Sequence, residues 1–382
     1  MSDEFADFHD ELRTVARELL GTAATGSAVD WSLITHSGWL GLEAPVEFDG
    51  AGATFAEVAV VLEEAGRAVA RSAYPSVAAL AVAALGMLEP NPQRDRLLRD
   101  TVAGSVIPVV ALAGEGIGAG SASARADAAA VEPPFRLVPG VDGLRLHGDA
   151  EFVLDAPVAD RLLLPALDPD GQIVMVAPGP GAGTVVTARP LVDATRDLGR
   201  VRADGVEAAE AAVWRFRGDG AAAVRRLYDR AALATACDSL GLSEAMLTAT
   251  VGYAGVREQF GRPIGSFQAV KHACADMLVQ ISVARQLVAD AVRAEVASAP
   301  DAGDAAAMAK AFATEMAVRV AGKAMQLHGG MGYTWESGIH AYLKRATLDR
   351  SLFGTPARHR QRLARRYASA RPAQGVSPGS HS

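Results

Sequence analysis

Apolar residues recur at helical spacing through the first part of the chain. Phe8, Leu12, Val15 and Leu19 share one face of a segment ending at Leu20, which predicts an amphipathic helix with that face inward. The Gly-rich break from Phe48 to Ala53 interrupts the pattern, and Phe55 to Ala68 resumes it around an acidic centre at Glu63 and Glu64. The apolar run Val77 to Leu88 is too short for the roughly 20 residues of a bilayer span and predicts a buried helix. From Val106 the period changes. Short β-prone runs at Val106 to Leu112, Glu151 to Leu154, Arg161 to Leu164, Ile173 to Val176, Val185 to Ala188 and Ala211 to Phe216 are separated by Gly, Pro and Asp, the pattern of an antiparallel sandwich or barrel. After Gly218-Asp219-Gly220 the helical period returns, first from Ala221 to Glu258 and then along a seam of Val270, Cys274, Met277, Ile281, Ala284 and Val288. A third helix is expected to start at Asp304 as N-cap, to carry Met308, Phe312 and Met316, and to stop at the glycines from Gly329.

These periods predict an α+β multidomain chain: an N-terminal all-α domain over residues 1–104, a middle β-sandwich or barrel over 105–217, a C-terminal four-helix bundle over 218–370 and a disordered tail over 371–382. Long apolar helices of this kind leave material for a subunit interface as well as a core.

With 382 residues, 50% hydrophobic and 21% charged, the chain can bury a sizeable core. The net charge of −7 argues against nucleic acid or an anionic membrane as partner, although Arg358 to Arg366 is a basic stretch. The N-terminus is acidic and lacks a basic segment followed by an apolar one, so a cytoplasmic protein is expected. Cys237 and Cys274 sit in helical patterns without metal-ligand spacing and read as buried thiols, with no metal site expected.

Two stretches carry the candidate chemistry. In Arg257-Glu258-Gln259-Phe260-Gly261 the Arg stands where a long helix runs into a turn, so its guanidinium can project past the helix end and hold a phosphate, or simply offset the helix dipole. Phe260 can pack on a flat ring beside it. In Gln326-Leu327-His328-Gly329-Gly330-Met331-Gly332-Tyr333 the Gly pair lets backbone approach a ligand and the Gln amide can meet a base or ribose edge; alone, the glycines are a helix stop. His328 has no visible carboxylate partner, which favours a structural role. Val109 to Ala119 imitates a strand followed by Gly-x-Gly-x-x-Ala, but the alanines and polar residues before Pro133-Pro134 offer no amphipathic helix for a dinucleotide fold.

Taken together, Arg257 through Lys271 with Ala275-Asp276-Met277, Gln326 through Thr334 with Glu336, and Gly38-Trp39-Leu40-Gly41-Leu42 with Ala44 to Gly52 resemble the acyl-CoA dehydrogenase family over nearly the whole chain. The resemblance implies FAD as cofactor, held between two subunits: the flavin rests on one subunit's β-domain, and the other's Arg and Gln-x-x-Gly-Gly elements grip its pyrophosphate and adenosine. Arg257, Gln259, Phe260, Gln326, Gly329, Gly330 and Thr355 are the residues it assigns to cofactor binding. The implied reaction is α,β-dehydrogenation of an acyl-CoA, in which a Glu takes the α-proton and the flavin the β-hydride.

The chain departs from that family where the chemistry is done. The position of the usual base, ahead of Gly354-Thr355, is Phe353. The alternative position, early in the helix leading to Arg257, is Ala231, with Asp229 the nearest weak candidate. The loop that touches flavin and thioester reads Ala113 to Ala122 without its usual Thr and Glu, and the flavin-facing strand reads Phe152-Val153-Leu154 without a hydroxyl. Three functions fit this pattern: a subunit paired, as a heterotetramer, with a catalytically complete homologue, as in bacterial breakdown of steroid-derived CoA thioesters; an active homo-dimer or tetramer with a relocated base; or a flavin monooxygenase of the same architecture.

Overall fold

The computed structural model describes residues 3–22, 26–114, 132–141, 143–179, 181–334 and 336–369. The chain opens with α1 (Asp3–Leu20), α2 (Trp31–His36) and α3 (Phe55–Arg67), then a π-helical segment (Pro75–Ala81) that continues into α4 (Val82–Met87), and α5 (Pro92–Val102). α3 begins where the sequence supplies a capping box: Thr54 Oγ1 accepts from the Ala56 N–H at 3.2 Å, and Glu57 Oε2 accepts from the Thr54 N–H at 2.8 Å. The buried face of α1 is Leu12, Ala16 and Leu20, while Phe8 and Val15 are exposed, so the helix is rolled away from the face its periodicity predicts. Ion pairs from Arg13 to Glu63 and from Arg17 to Glu64 (Nε to Oε2, 3.0 Å) fix that roll and occupy the acidic centre of α3.

The middle of the chain folds into β1 (Pro108–Val110), β2 (Phe135–Gly140), β3 (Gly143–Leu154), β4 (Arg161–Leu167), β5 (Ile173–Val176), β6 (Val185–Arg189), β7 (Leu198–Ala208) and β8 (Val213–Arg215). The strand order is β6-β7-β3-β2-β4-β5-β8, with β1 beside β4. Both β1 and β2 run parallel to β4, so the sheet is mixed rather than antiparallel. The strand β7 escapes the apolar-run criterion because Val201, Ala203, Val206 and Ala208 point inward between Arg200, Arg202 and Asp204.

The last part comprises α6 (Gly220–Val256), a tight hairpin of β9 (Glu258–Gln259) and β10 (Arg262–Pro263), α7 (Gln268–Val296), α8 (Ala302–Leu327), α9 (Ile339–Ser351) and α10 (Pro356–Ser369). Asp304 is not the N-cap of α8; it lies in the first turn and pairs with Arg366. The basic stretch of α10 is a zipper: Arg360, Arg362 and Arg366 pair with Glu315, Asp229 and Asp304 of α8 and α6. On α7 the seam is buried from Met277 onward, whereas Cys274 is partly exposed, so only Cys237 is the buried thiol expected.

Helices α3 and α6 cross almost backbone to backbone. A Cβ on Gly241 would stand 1.7 Å from the Glu63 carbonyl oxygen, and one on Gly66 2.0 Å from that of Asp238. Beside this crossing a buried ion cluster ties the layers together. Asp238 accepts from Arg345 at 2.7 and 3.1 Å and from Arg196 at 3.0 Å, while Arg345 Nη1 donates to the carbonyls of Ala70 and Thr195. Burial opposes ionisation of Asp238, yet Arg345 and Arg196 hold its carboxyl well below the usual range. None of the described helices is long and apolar enough to cross a membrane. Residues 371–382, expected to be a disordered tail, lie outside the described residues.

Candidate functional site

The helix α6 ends at Arg257, whose N–H donates to Tyr253 O at 2.9 Å and whose carbonyl accepts from the Ile264 N–H at 2.8 Å. Gln259 pairs with Arg262 across the hairpin, leaving Phe260 and Gly261 as a two-residue loop with φ of 55° and 73°. Both positive angles are those of a type I′ turn. A bulky aromatic strains such a backbone by roughly 1–2 kcal/mol, and Phe260 is 92% exposed. Its ring edge meets Phe267 at 6.1 Å, and the Arg262 guanidinium lies 4.2 Å above the Phe267 ring. A strained, outward aromatic braced in this way is shaped to contact something outside the chain.

Gln326 closes α8. Lys323 Nζ donates to its Oε1 at 3.2 Å, which leaves the amide NH2 to donate elsewhere. Beyond it Gly329 has φ 59°, and a Cβ on Gly329 or Gly330 would meet nothing within 4 Å, so the space beside this turn is open. His328 is buried; its Nδ1 is 2.8 Å from Ala324 O, and its ring stacks on Tyr253 at 4.5 Å and 23°. Tyr253 is one turn ahead of Arg257, so the stack holds the ends of α6 and α8 together and brings the two sequence motifs to one edge of the bundle. Tyr253 is the residue that sequence reasoning missed; an aromatic one turn ahead of the Arg was its only signal.

The turn at Phe353 is built differently. Phe353 has φ 53° and is buried between two backbone bonds: its N–H donates to Gly114 O at 2.5 Å, and its carbonyl lies 3.0 Å from His359 Nε2. Burial pushes the His359 pKa down to about 4, helped by Lys310, so the ring is neutral and donates from Nε2 to that carbonyl. Gly114 packs so closely that a Cβ would stand 2.3 Å from Phe152 O and 3.1 Å from Leu352 Cδ2. Tyr228 of α6 accepts the Ala113 N–H at 3.1 Å. The loop at 113–114 is thus pinned against the turn at Phe353.

The crevice between the flavin-facing strand and the two base positions is a cavity of about 10 Å3, lined by Leu154, Ala231, Phe353, Thr235, Arg196 and Asp349, among others. Ligand pockets commonly run to about 300–1,000 Å3. A cavity of this size holds neither a flavin ring nor an acyl chain. The residues Glu115 to Ala122 of the expected flavin loop, with the rest of the Gly-x-Gly look-alike, lie outside the described residues.

Asp229 is held by Arg362 through both oxygens, one at 3.1 Å, and is not part of the cavity wall. Burial raises its pKa against that partner's opposing effect. Thr355 is exposed at the start of α10, its Oγ1 accepting from the Arg358 N–H at 3.4 Å.

Comparison with known proteins agrees with this layout. Residues 1–105 match the acyl-CoA dehydrogenase N-terminal domain and residues 218–368 the acyl-CoA dehydrogenase C-terminal domain. The acyl-CoA dehydrogenase IpdE2 of Mycolicibacterium smegmatis is 31% identical over 334 residues, covering 87% of this chain and 86% of the relative. A chain in the crystal structure of the ChsE4-ChsE5 complex from Mycobacterium tuberculosis superposes with a TM-score of 0.83 at 26% identity, covering 98% of this chain and 99% of that one. A chain of the Tcur3481-Tcur3483 steroid ACAD does so with a TM-score of 0.78 at 29% identity, covering 95% and 98%. The chain belongs to the acyl-CoA dehydrogenase family, FAD-dependent oxidoreductases that act on CH–CH bonds.

Proposed function

We propose that this chain is one subunit of a paired acyl-CoA dehydrogenase, lending the adenosine and pyrophosphate half of a FAD site whose flavin and catalytic base belong to a different, complete subunit. Arg257 grips the pyrophosphate, Gln259 and Phe260 border it on the strained hairpin, Gln326 donates its amide to the adenosine half, and Gly329 and Gly330 keep the approach open. Thr355 faces the same shared site from the start of α10. When bound, FAD accepts the hydride removed from the acyl-CoA; this chain's residues hold its non-reacting half.

The observation that carries the reading is a contrast within one molecule. The adenosine-side residues are open and outward, with Phe260 92% exposed, while the chain's own crevice is closed to about 10 Å3 around Phe353. Exposed apolar residues near the motifs, Val251, Val256, Leu278, Val279, Met331 and Tyr333, support a neighbouring subunit on this edge. Two of the similar structures, ChsE4-ChsE5 and the Tcur3481-Tcur3483 steroid ACAD, pair two components, and the second is a steroid enzyme, which favours a bulky acyl-CoA as substrate class.

Co-expression with a homologous complete subunit tests this. The expected product is a yellow heteromeric complex with one FAD per pair and acyl-CoA-dependent flavin bleaching. Full flavin occupancy and turnover by this chain alone would overturn it.

A further inference from the structure

Two buried residues carry polar atoms that no described residue satisfies, and both border the same cavity. Asp349, on α9 one turn ahead of Phe353, is fully buried; its carboxyl meets that of Asp238, and among the described residues no other group bonds its oxygens. Arg196 is also buried; its Nη2 donates to Asp238 at 3.0 Å, whereas its Nε and Nη1 have no partner. Arg196 forms its ion pair with Asp238 and none with Asp349. Both residues line the cavity under Phe353 together with Thr235, whose hydroxyl donates to Ala231 O at 2.7 Å and keeps lone pairs to accept with. The remaining wall is apolar, including Pro75, Leu80, Leu154 and Leu352.

Size and chemistry select the occupant. The cavity measures about 10 Å3, and about 10–15 Å3 is the least that admits a water molecule. An acyl chain or a flavin edge is far too large. A cation would face Arg196, and the Arg196 charge is already matched by Asp238, so no anion is called for. A dry cavity is the habit of apolar walls, whereas orphaned buried donors and acceptors are costly and call for a partner.

We propose that Asp349 and Arg196 clasp a single buried water in this cavity, and that the bridge fastens α9 to the segment before β7 and keeps the crevice beneath Phe353 shut. The water accepts from Arg196 Nη1 or Nε and donates to an Asp349 oxygen and to Thr235 Oγ1. Burial, reinforced by the charge of Asp238, pushes the Asp349 carboxyl far above the usual range, so it is a neutral acid whose proton goes to Asp238 and whose free oxygen accepts from the water. The inference extends the paired-subunit reading, because it names what fills the space a catalytic subunit would give to substrate.

A crystal structure of the full chain at a resolution that shows ordered water tests it directly. One solvent peak within hydrogen-bond distance of both Asp349 and Arg196 is expected. An empty cavity, or Asp349 in direct contact with Arg196, would overturn the proposal. The variant Asp349→Leu should lose the peak and, with the bridge gone, melt below the wild type; a retained peak or an unchanged melting temperature would overturn the bridge. Should that variant fail to fold, the carboxyl C=O band of Asp349, assigned by difference against Asp349→Asn, should show a hydrogen-bonded neutral acid in the wild type; a carboxylate band in its place would overturn the proposal. The FAD content of the complex is measured separately. An absent water with one FAD per pair removes the bridge alone, and a present water with flavin on the isolated chain removes the paired reading alone.

Discussion

Replacing Arg257 with Ala is expected to strip flavin from the complex while leaving the fold intact. The local structure at Arg257 depends on its backbone, whose N–H bonds Tyr253 O and whose carbonyl receives the Ile264 N–H, and Ala keeps both bonds. The side chain itself is exposed. Surface truncations of this kind change stability by no more than about 0.5 kcal/mol, which for a chain of this size moves the melting temperature by roughly 2 °C or less. A guanidinium on a pyrophosphate contributes about 1.5–3 kcal/mol through charge-assisted, two-pronged bonding. Its loss should therefore raise the Kd for FAD by roughly 10- to 100-fold. Arg257→Lys keeps the charge without the fork and should fall between. Titration of the apo-complex with FAD, followed by flavin fluorescence, reads the affinity, and calorimetry reads the stability. An unchanged Kd would refute the phosphate role, and a large fall in melting temperature would recast Arg257 as a structural helix end.

Three further outcomes follow from the geometry. Phe353→Glu installs the residue type that the family resemblance places there, yet it would bury a carboxyl in a closed crevice beside Asp349; the isolated chain should stay unable to bleach flavin with an acyl-CoA, and its urea midpoint should reflect a loss of about 1–3 kcal/mol. Gly241→Ala drives a Cβ to 1.7 Å from Glu63 O at the crossing of α3 and α6, so a loss of more than about 3 kcal/mol, or failure to fold, is expected by denaturant titration. His359, with its pKa lowered to about 4, binds a proton less readily folded than unfolded, where the value is about 6.5. Its contribution is therefore present above pH 6.5 and is lost as pH falls towards 4, up to about 3 kcal/mol, and His359→Gln should flatten the stability profile in that window.

What the sequence made legible is what local spacing carries. The helices α6, α7 and α8, the stop at Gly329 and the two motifs at 257–261 and 326–333 were readable because each is written in consecutive residues. The roll of α1 was not, because Arg13 and Arg17 settle it through Glu63 and Glu64, which are far away in the chain. The parallel pairing of β1 and β2 with β4 is likewise a long-range choice that no strand announces. At the site, the substitution of Phe353 was visible but its consequence was not. Closure depends on Gly114, Phe152 and Leu352 meeting there, and the orphaned Asp349 emerges only when Arg196 is found beside the same cavity.

The separate fates of the two half-sites have a structural reason. The adenosine-side elements sit at the ends of α6 and α8, held to each other by the Tyr253–His328 stack and to the body of the protein by the bundle core. The reaction half is made of the end of β3, the loop at 113–114 and the turn after α9, held by Tyr228, His359 and the Asp238 cluster. Apart from Thr355, which follows the turn at Phe353, the cofactor-side residues lie outside that half. Substitutions that filled the crevice could therefore accumulate without moving Arg257 or Gln326, provided that a neighbouring subunit still needed them. On the paired-subunit proposal only the half that reaches the partner's FAD has to stay open, and Arg257 and Gln326 lie in that half.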